Sequence, residues 1–379
     1  MSRAGIYIHI PFCRSRCSYC DFATGAYDGP LAERYVRAVA AEIEAFEHAP
    51  QALPEVDTIY FGGGTPSLLS PPQVARILDA AHARFRVTTG AEVTMEMNPG
   101  ALSLSTLRDY RRLGINRASF GAQTFDDREL RRLGRAHTVD DVRQTIRSLR
   151  EAGFDNVSFD LIAGLPAQTL DAWARNLDEA LALAPEHLSF YLLEVHEGTP
   201  LAEQIRSGRQ PVPDDDLAAE MYRLMLDRSS AAGYEHYEIS NLCLPGFESR
   251  HNSKYWLAEP VYGFGCSAHS YDGHRMRWAN ERDAARYVSL VEAGGAAVVE
   301  TTELDDREAA AEAVFLGLRL MRGMSFNQYR ARFGEDLREK HAHDLARLTD
   351  AGLIVLDHDL MKLTRSGALL SNEVFATFV

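Results

Sequence analysis

The sequence predicts an α/β fold: an incomplete six-unit (β/α) barrel of the TIM type, followed by a smaller C-terminal α+β domain shaped like a winged helix. Three observations carry this expectation. Short β-like runs at 5–10, 57–61, 92–97, 117–122, 156–161 and 187–193 alternate with amphipathic helical stretches. Parallel neighbours need long, usually helical connections, so this alternation means a parallel sheet curling toward a barrel. Past Ser240 the alternation stops, and the final stretch reads as helices, a hairpin and a last helix. The expected division is a barrel over 1–240, a connecting segment over 241–300 and a C-terminal domain over 301–379.

Taken in order, the first crossover helix is predicted over 30–47, where Leu31, Tyr35, Val36, Val39, Ile43 and Phe46 recur at helical spacing. Residues 138–152 repeat the pattern with Val142, Ile146 and Leu149. Residues 241–280 are rich in glycine, aromatic and polar residues and carry no long helical pattern. Helices are expected over 305–322, 325–333 and 335–351, then strands over 353–357 and 360–364 around a tight Asp357-His358-Asp359 turn.

Composition narrows the function classes. A chain of 379 residues with 46% hydrophobic and 25% charged residues builds a large core and is not a disordered, collagen-like or disulfide-built chain. A net charge of −14 argues against general nucleic-acid binding. The winged-helix-like region holds twelve Asp/Glu against ten Lys/Arg over 305–379, so it lacks the basic footprint of a DNA reader. There is no apolar run of membrane-spanning length, and Met1 to Ala4 pass directly into a strand rather than an export signal. The expectation is a cytoplasmic protein without a membrane anchor.

Of five cysteines, Cys13, Cys17 and Cys20 cluster while Cys243 and Cys266 lie far away, a pattern of metal ligation rather than of disulfides. The three follow the first strand, on one short loop at a barrel mouth. No second Cys pair or Cys/His pair at finger spacing completes a zinc site. An iron–sulfur cube ordinarily takes four thiolates, so three leave one iron open to a small ligand.

The strand ends that share this rim carry further candidates. After the second strand come Gly62-Gly63-Gly64-Thr65-Pro66-Ser67, whose glycines let a ligand approach the backbone or form a tight turn into the next helix. Glu96, Gln123 and Asp160 each end an otherwise apolar strand, and their recurrence at matching positions points to a shared polar ligand. Arg135 offers a planar fork of donors to a carboxylate.

The C-x3-C-x2-C pattern, with aromatic Tyr19 before the last cysteine, resembles the radical S-adenosylmethionine (SAM) proteins. That resemblance implies a 4Fe-4S cluster whose open iron is chelated by the amino and carboxylate groups of SAM, and whose electron cleaves a carbon–sulfur bond. It also implies cofactor-binding roles for Tyr7, Gly64, Thr65, Glu96, Gln123, Arg135 and Asp160, which match positions of the subgroup related to oxygen-independent coproporphyrinogen III oxidase, and for Tyr19 and Gly63 beside them. The run Asp160 to Pro166 (DLIAGLP) is characteristic of that subgroup.

Within the subgroup, the decarboxylating enzymes carry a further cysteine two residues after the third and a long preceding segment. Here Phe22 holds that position and twelve residues precede Cys13. Cys20-Asp21-Phe22 instead resembles the HemW-like heme chaperone branch, as does His251-Asn252-Ser253-Lys254-Tyr255-Trp256, which matches its HNxxYW motif. The resemblance implies heme binding at His251, Tyr255 and Trp256, with imidazole as a possible axial ligand and the rings packing on the macrocycle. It implies a chaperone that passes heme to a recipient protein of the respiratory class, with no catalytic residue assigned. The competing expectation is a radical enzyme on the same scaffold: a porphyrinogen decarboxylase, a methyltransferase or a cyclopropanase.

Overall fold

The structure is a computed structural model that describes residues 3–47 and 55–378. Six strands, β1 (Ala4–Ile10), β2 (Val56–Gly63), β3 (Val87–Met97), β4 (Arg117–Gln123), β5 (Val157–Ala163) and β6 (His187–Leu192), pair in that order and all in parallel. They correspond to the six expected runs. Crossover helices include α1 (Gly29–Ala45), α2 (Pro71–Arg84), α3 (Leu104–Arg112), α4 (Asp127–Arg132), α5 (Val139–Glu151) and α6 (Leu170–Ala182).

Local chemistry explains where the helices start. Asp28 accepts from the Leu31 N–H at the head of α1, with a proline in the first turn, and the helix buries Tyr35, Val36, Val39 and Ile43. Thr138 and Asp141 cap α5 reciprocally, and Val142, Ile146 and Leu149 turn inward.

The barrel strands alternate with a period of two. Ile6, Ile8, Ile59, Phe61, Met95, Phe120, Phe159 and Phe190 join the helices in one hydrophobic core. The residues between them point to the opposite face and bring Tyr7, Thr58, Tyr60, Glu92, Glu96, Arg117, Asp160 and His187 to the lumen. A parallel sheet buried on both faces usually reads as a continuous apolar run. This one is apolar outward and polar inward.

The region expected as a connector extends the same sheet at both ends. After the further helices α7 (Pro200–Arg206) and α8 (Asp215–Ala231), β8 (Asn241–Cys243) adds antiparallel to β6 and β7 (Glu235–Glu238) antiparallel to β8. A seven-residue helix, α9 (Arg250–Trp256), leads to β9 (Val261–Phe264), which pairs in parallel with β1. Then β10 (His269–Tyr271), β11 (Met276–Asn280) and β12 (Val298–Glu303) continue antiparallel, giving twelve strands in the order β12-β11-β10-β9-β1-β2-β3-β4-β5-β6-β8-β7. Between the last two lies α10 (Ala284–Glu292).

A second hydrophobic core is built from α11 (Asp306–Arg319), α12 (Phe326–Phe333) and the hairpin of Ile354–Asp357 and Leu360–Leu363, joined by the short strand Met324–Ser325. The expected helix over 335–351 is interrupted at His341, giving Leu337–Lys340 and Ala342–Asp350. His358 turns the hairpin at φ +49°. No helix among the described residues is long and apolar enough to cross a membrane.

Candidate functional site

At the C-terminal ends of the barrel strands lies a cavity of about 390 Å³. This is the end at which barrels of this type place their ligands. Cys13, Cys17 and Cys20 line it, together with Tyr19, Gly63, Gly64, Thr65, Glu96, Gln123, Arg135 and Asp160. Tyr7 lies deeper in the lumen, stacked on Tyr60 at 6.2 Å between ring centroids, with its hydroxyl 3.1 Å from His9 Nδ1. His251, Tyr255 and Trp256 stand outside the cavity wall.

The cysteine loop is held at both ends. Residues Phe12–Cys13 pair with Gly25–Ala26, and the Ser18 N–H donates to the Leu133 carbonyl at 2.9 Å. His9, one turn of strand below, holds the Ala23 carbonyl through Nε2 at 3.0 Å. The Thr65 hydroxyl lies 3.6 Å from Cys13 Sγ, and Arg135 Nη1 lies 3.4 Å from Cys17 Sγ. Burial pushes the Cys13 and Cys20 thiols up, which metal ligation would reverse by replacing their protons. Cys243 is buried in β8, and Cys266 is buried beside the Tyr35 hydroxyl at 3.5 Å.

Two glycines set the approach of the β2 loop. Gly63 sits at φ +109° and donates its N–H to Glu96 Oε2 at 3.1 Å. At Gly64, an added Cβ would stand 2.8 Å from the Phe12 carbonyl oxygen and 3.0 Å from that of Ile10. Both are backbone atoms of the cysteine strand. Gly64→Ala is expected to destabilise the barrel by about 1–3 kcal/mol, the usual cost of overpacking, seen as a lower urea midpoint. An unchanged midpoint would show that the two segments separate freely.

A bulge aims Gln123. The β4–β5 register shifts between Gly121 and Gln123, and Gln123 takes φ +68°, a left-handed conformation that costs a non-glycine residue of order 1–3 kcal/mol. Its buried Oε1 has no partner among the described residues. Strain and an orphaned acceptor at a cavity wall suit a residue awaiting a ligand.

Two part-buried carboxylates lie in the wall. Burial, and then the charge of Asp160, push Glu96 up to about 7, although the Tyr60 hydroxyl donates to its Oε1 at 2.7 Å. Burial likewise pushes Asp160 up to about 6, eased by Ser189, Arg117 and Arg135. Arg135 donates to Asn98 Oδ1 at 3.1 Å and to the Gly121 carbonyl at 2.8 Å. The cavity thus sets an acidic pair against a cationic fork beside three thiols, a donor set that fits an iron–sulfur cluster and a small zwitterionic ligand.

Some participants escaped the sequence reading. Asn98 bridges the Thr65 hydroxyl and Arg135, and the side chain of Arg117 is buried in the lumen, where its charge favours ionisation of both carboxylates. Alternation offered a signal for Arg117, which shares the inward phase of Ser119 and Gly121. Tyr191 and His196 line the far rim from the end of β6 and the loop after it, with no motif to mark them.

The HNxxYW residues lie on the short helix α9. His251 sits in the first turn of that helix, is 1% exposed, and has both ring nitrogens engaged: Nδ1 with Thr58 Oγ1 at 2.9 Å and Nε2 with the Tyr255 hydroxyl at 3.2 Å. Trp256 is covered by the Arg319 guanidinium at 4.1 Å. Among the three, Tyr255 is the exposed residue. As placed, the imidazole offers no free nitrogen to an iron.

Comparison with known proteins decides the family. The Radical SAM superfamily domain matches residues 7–180, and the HemN C-terminal domain matches residues 304–370. Over 374 residues the chain is 37% identical to the Heme chaperone HemW of Bacillus subtilis (strain 168), covering 98% of each chain. The chain belongs to the HemW family of radical SAM proteins. The Escherichia coli (strain K12) HemW is 37% identical over 283 residues, 73% of each chain. The Bos taurus mitochondrial Radical S-adenosyl methionine domain-containing protein 1 is 33% identical over 388 residues, covering 100% of this chain and 87% of that one. In fold, the E. coli coproporphyrinogen III oxidase HemN, a radical SAM enzyme, superposes with a TM-score of 0.85 at 24% identity, covering 99% of this chain and 90% of its own. HemW membership bears out the family resemblance, and the HemN likeness bears out the partial barrel with a C-terminal domain.

Proposed function

We propose that this protein is a cytoplasmic heme chaperone that holds a 4Fe-4S cluster on Cys13, Cys17 and Cys20 with SAM in the adjoining cavity, binds heme, and hands it to a recipient protein, respiratory proteins being the expected class. One observation carries the choice over porphyrinogen decarboxylation. The position two beyond Cys20, where the decarboxylating branch has its extra cysteine, is Phe22, an apolar side chain 64% exposed at the cavity rim. The full-length relatives named as heme chaperones support the heme half of the reading.

The residues divide the work. Glu96 and Asp160 would face the ammonium and sulfonium charges of SAM, Arg135 its carboxylate, and Gly63 and Gly64 would let it lie against backbone. When bound, the cluster would supply an electron to SAM. A cavity of about 390 Å³ is at the small end of ligand pockets, so it suits one small cofactor and leaves heme to a separate surface.

The test is anaerobic reconstitution of the full chain, hemin titration followed in the Soret band, and incubation with coproporphyrinogen III, SAM and reductant. Near-stoichiometric hemin binding without carbon dioxide release is expected. Carbon dioxide at catalytic turnover, or absence of hemin binding, would overturn the reading.

A further inference from the structure

The chain carries a net charge of −14, yet the surface around the cysteine loop is basic. Arg14 and Arg16 lie between the first two cysteines and are exposed. Arg128, Arg131 and Arg132 of α4 are exposed too, and their i, i+3, i+4 spacing sets them on one face of that helix. The two segments are joined. The Ser18 N–H donates to the Leu133 carbonyl at 2.9 Å and its hydroxyl to the Arg132 carbonyl at 3.2 Å, so the end of α4 lies against the loop. Elsewhere surface arginines meet carboxylates, as in Arg34–Glu292, Arg150–Glu186 and Arg277–Glu312. Here Arg16 reaches the Cys20 carbonyl at 3.0 Å and Arg132 that of Pro166 at 3.5 Å, and none of the five forms an ion pair among the described residues. The acids of the region are turned to other partners. Asp126 caps α4, Asp127 accepts the Val139 N–H at 2.9 Å, Glu129 is buried against Thr124, and Asp21 lies 3.8 Å from His196.

We propose that this surface docks an acidic one-electron carrier protein, which delivers the electron that the cluster passes to SAM. The inference rests on the proposed cluster. A basic patch alone fits many anionic partners, and its place in the fold decides among them. Arg14 and Arg16 are interleaved with Cys13, Cys17 and Cys20, so a partner held by them lies over the cluster itself. Guanidinium groups do not titrate in the physiological range, so the patch keeps its charge whatever the pH. Complexes led by charge form fast and part readily with little buried area, which suits a carrier that leaves after each delivery. Phe22, 64% exposed on the same loop, adds an apolar contact to the charged surround. The step moves one electron and no atoms: the carrier is oxidised by one electron, the cluster falls from the 2+ to the 1+ state, and no bond forms or breaks.

The test uses the reconstituted full chain with reduced flavodoxin, an acidic flavoprotein, as the probe. Affinity is read by calorimetry, and cluster reduction by stopped-flow bleaching of the visible absorption. Arg14→Glu with Arg131→Glu reverses two charges whose side chains make no bond in the fold and do not line the cavity. Both affinity and reduction rate should fall at least about tenfold in this variant, and wild type should lose about as much between about 50 and about 300 mM NaCl. Iron content and reduction by photoreduced deazaflavin, a small molecule, should match wild type. Arg282→Glu with Arg322→Glu changes the net charge equally at exposed positions away from the loop and should leave docking within about twofold. Equal weakening by both double variants would overturn the proposal, as would salt-independent binding or retention of anionic phosphatidylserine vesicles without affinity for the carrier. A wild-type chain that takes up no iron would instead sink the functional reading.

Discussion

Replacing Cys17 by alanine is expected to remove the cluster outright. Iron after anaerobic reconstitution should fall from about four atoms per chain to below about one, with loss of the visible absorption, because an iron–sulfur cube held by three thiolates has no spare protein ligand. The remaining cysteines cannot substitute. Cys243 lies in β8, between β6 and the edge strand β7, and Cys266 behind Tyr35, neither of them on the cavity wall. Cys243→Ala and Cys266→Ala should therefore reconstitute like wild type. Full iron content in Cys17→Ala, or its loss in Cys243→Ala, would mean that the ligand set is drawn wrongly.

Glu42→Gln should stabilise the protein above neutral pH and leave it nearly unchanged near pH 5. The Glu42 carboxylate sits between α1, α10 and the loop after β9, accepting from the Tyr287 hydroxyl at 2.6 Å, the Gly265 N–H at 2.8 Å and Asn280 Nδ2 at 2.6 Å. All three donors favour the ionised form, yet burial prevails and pushes the group from its ordinary 4.5 up to about 7. A carboxyl with a raised folded-state pKa contributes stability that is complete below 4.5 and is lost as pH rises through 7. Displacement of the carboxyl from 4.5 to about 7 is worth roughly 3 kcal/mol. Glutamine mimics the neutral acid, so the difference in Tm between variant and wild type should grow from pH 5 to pH 8. A difference independent of pH would show that Glu42 does not titrate in the folded protein.

The six barrel strands were legible because each is a short apolar run set off by an amphipathic helix, a pattern contained within about thirty consecutive residues. Glu96, Gln123 and Asp160 stood out for the same reason, as polar residues closing apolar runs, and the structure brings them to one cavity. The strands of three to six residues between Ser240 and Leu304 were not legible. β8 and β9 are anchored by β6 and β1, far away in sequence, and β10 to β12 then add one on another, so pairing rather than periodicity makes them strands. Arg117 was hidden by a different cause. A charged residue at a strand start reads as solvent-facing until the barrel closes around it.

His251 shows most plainly where local reading stops. The motif identified a histidine with two aromatic neighbours, and those residue types permit iron ligation, ring packing or a buried hydrogen-bonding role equally well. What decides among them is which groups stand within about 3 Å of the two nitrogens, and Thr58 comes from a strand 193 residues earlier. The amino-acid order alone determined the cysteine spacing, the helix starts and the phase of each strand, because these depend on neighbours along the chain. The tertiary structure decided which groups share a wall, which carboxylates lie close enough to raise each other's pKa, and whether the imidazole is free. Those properties depend on distances through space, and only closure of the barrel sets them.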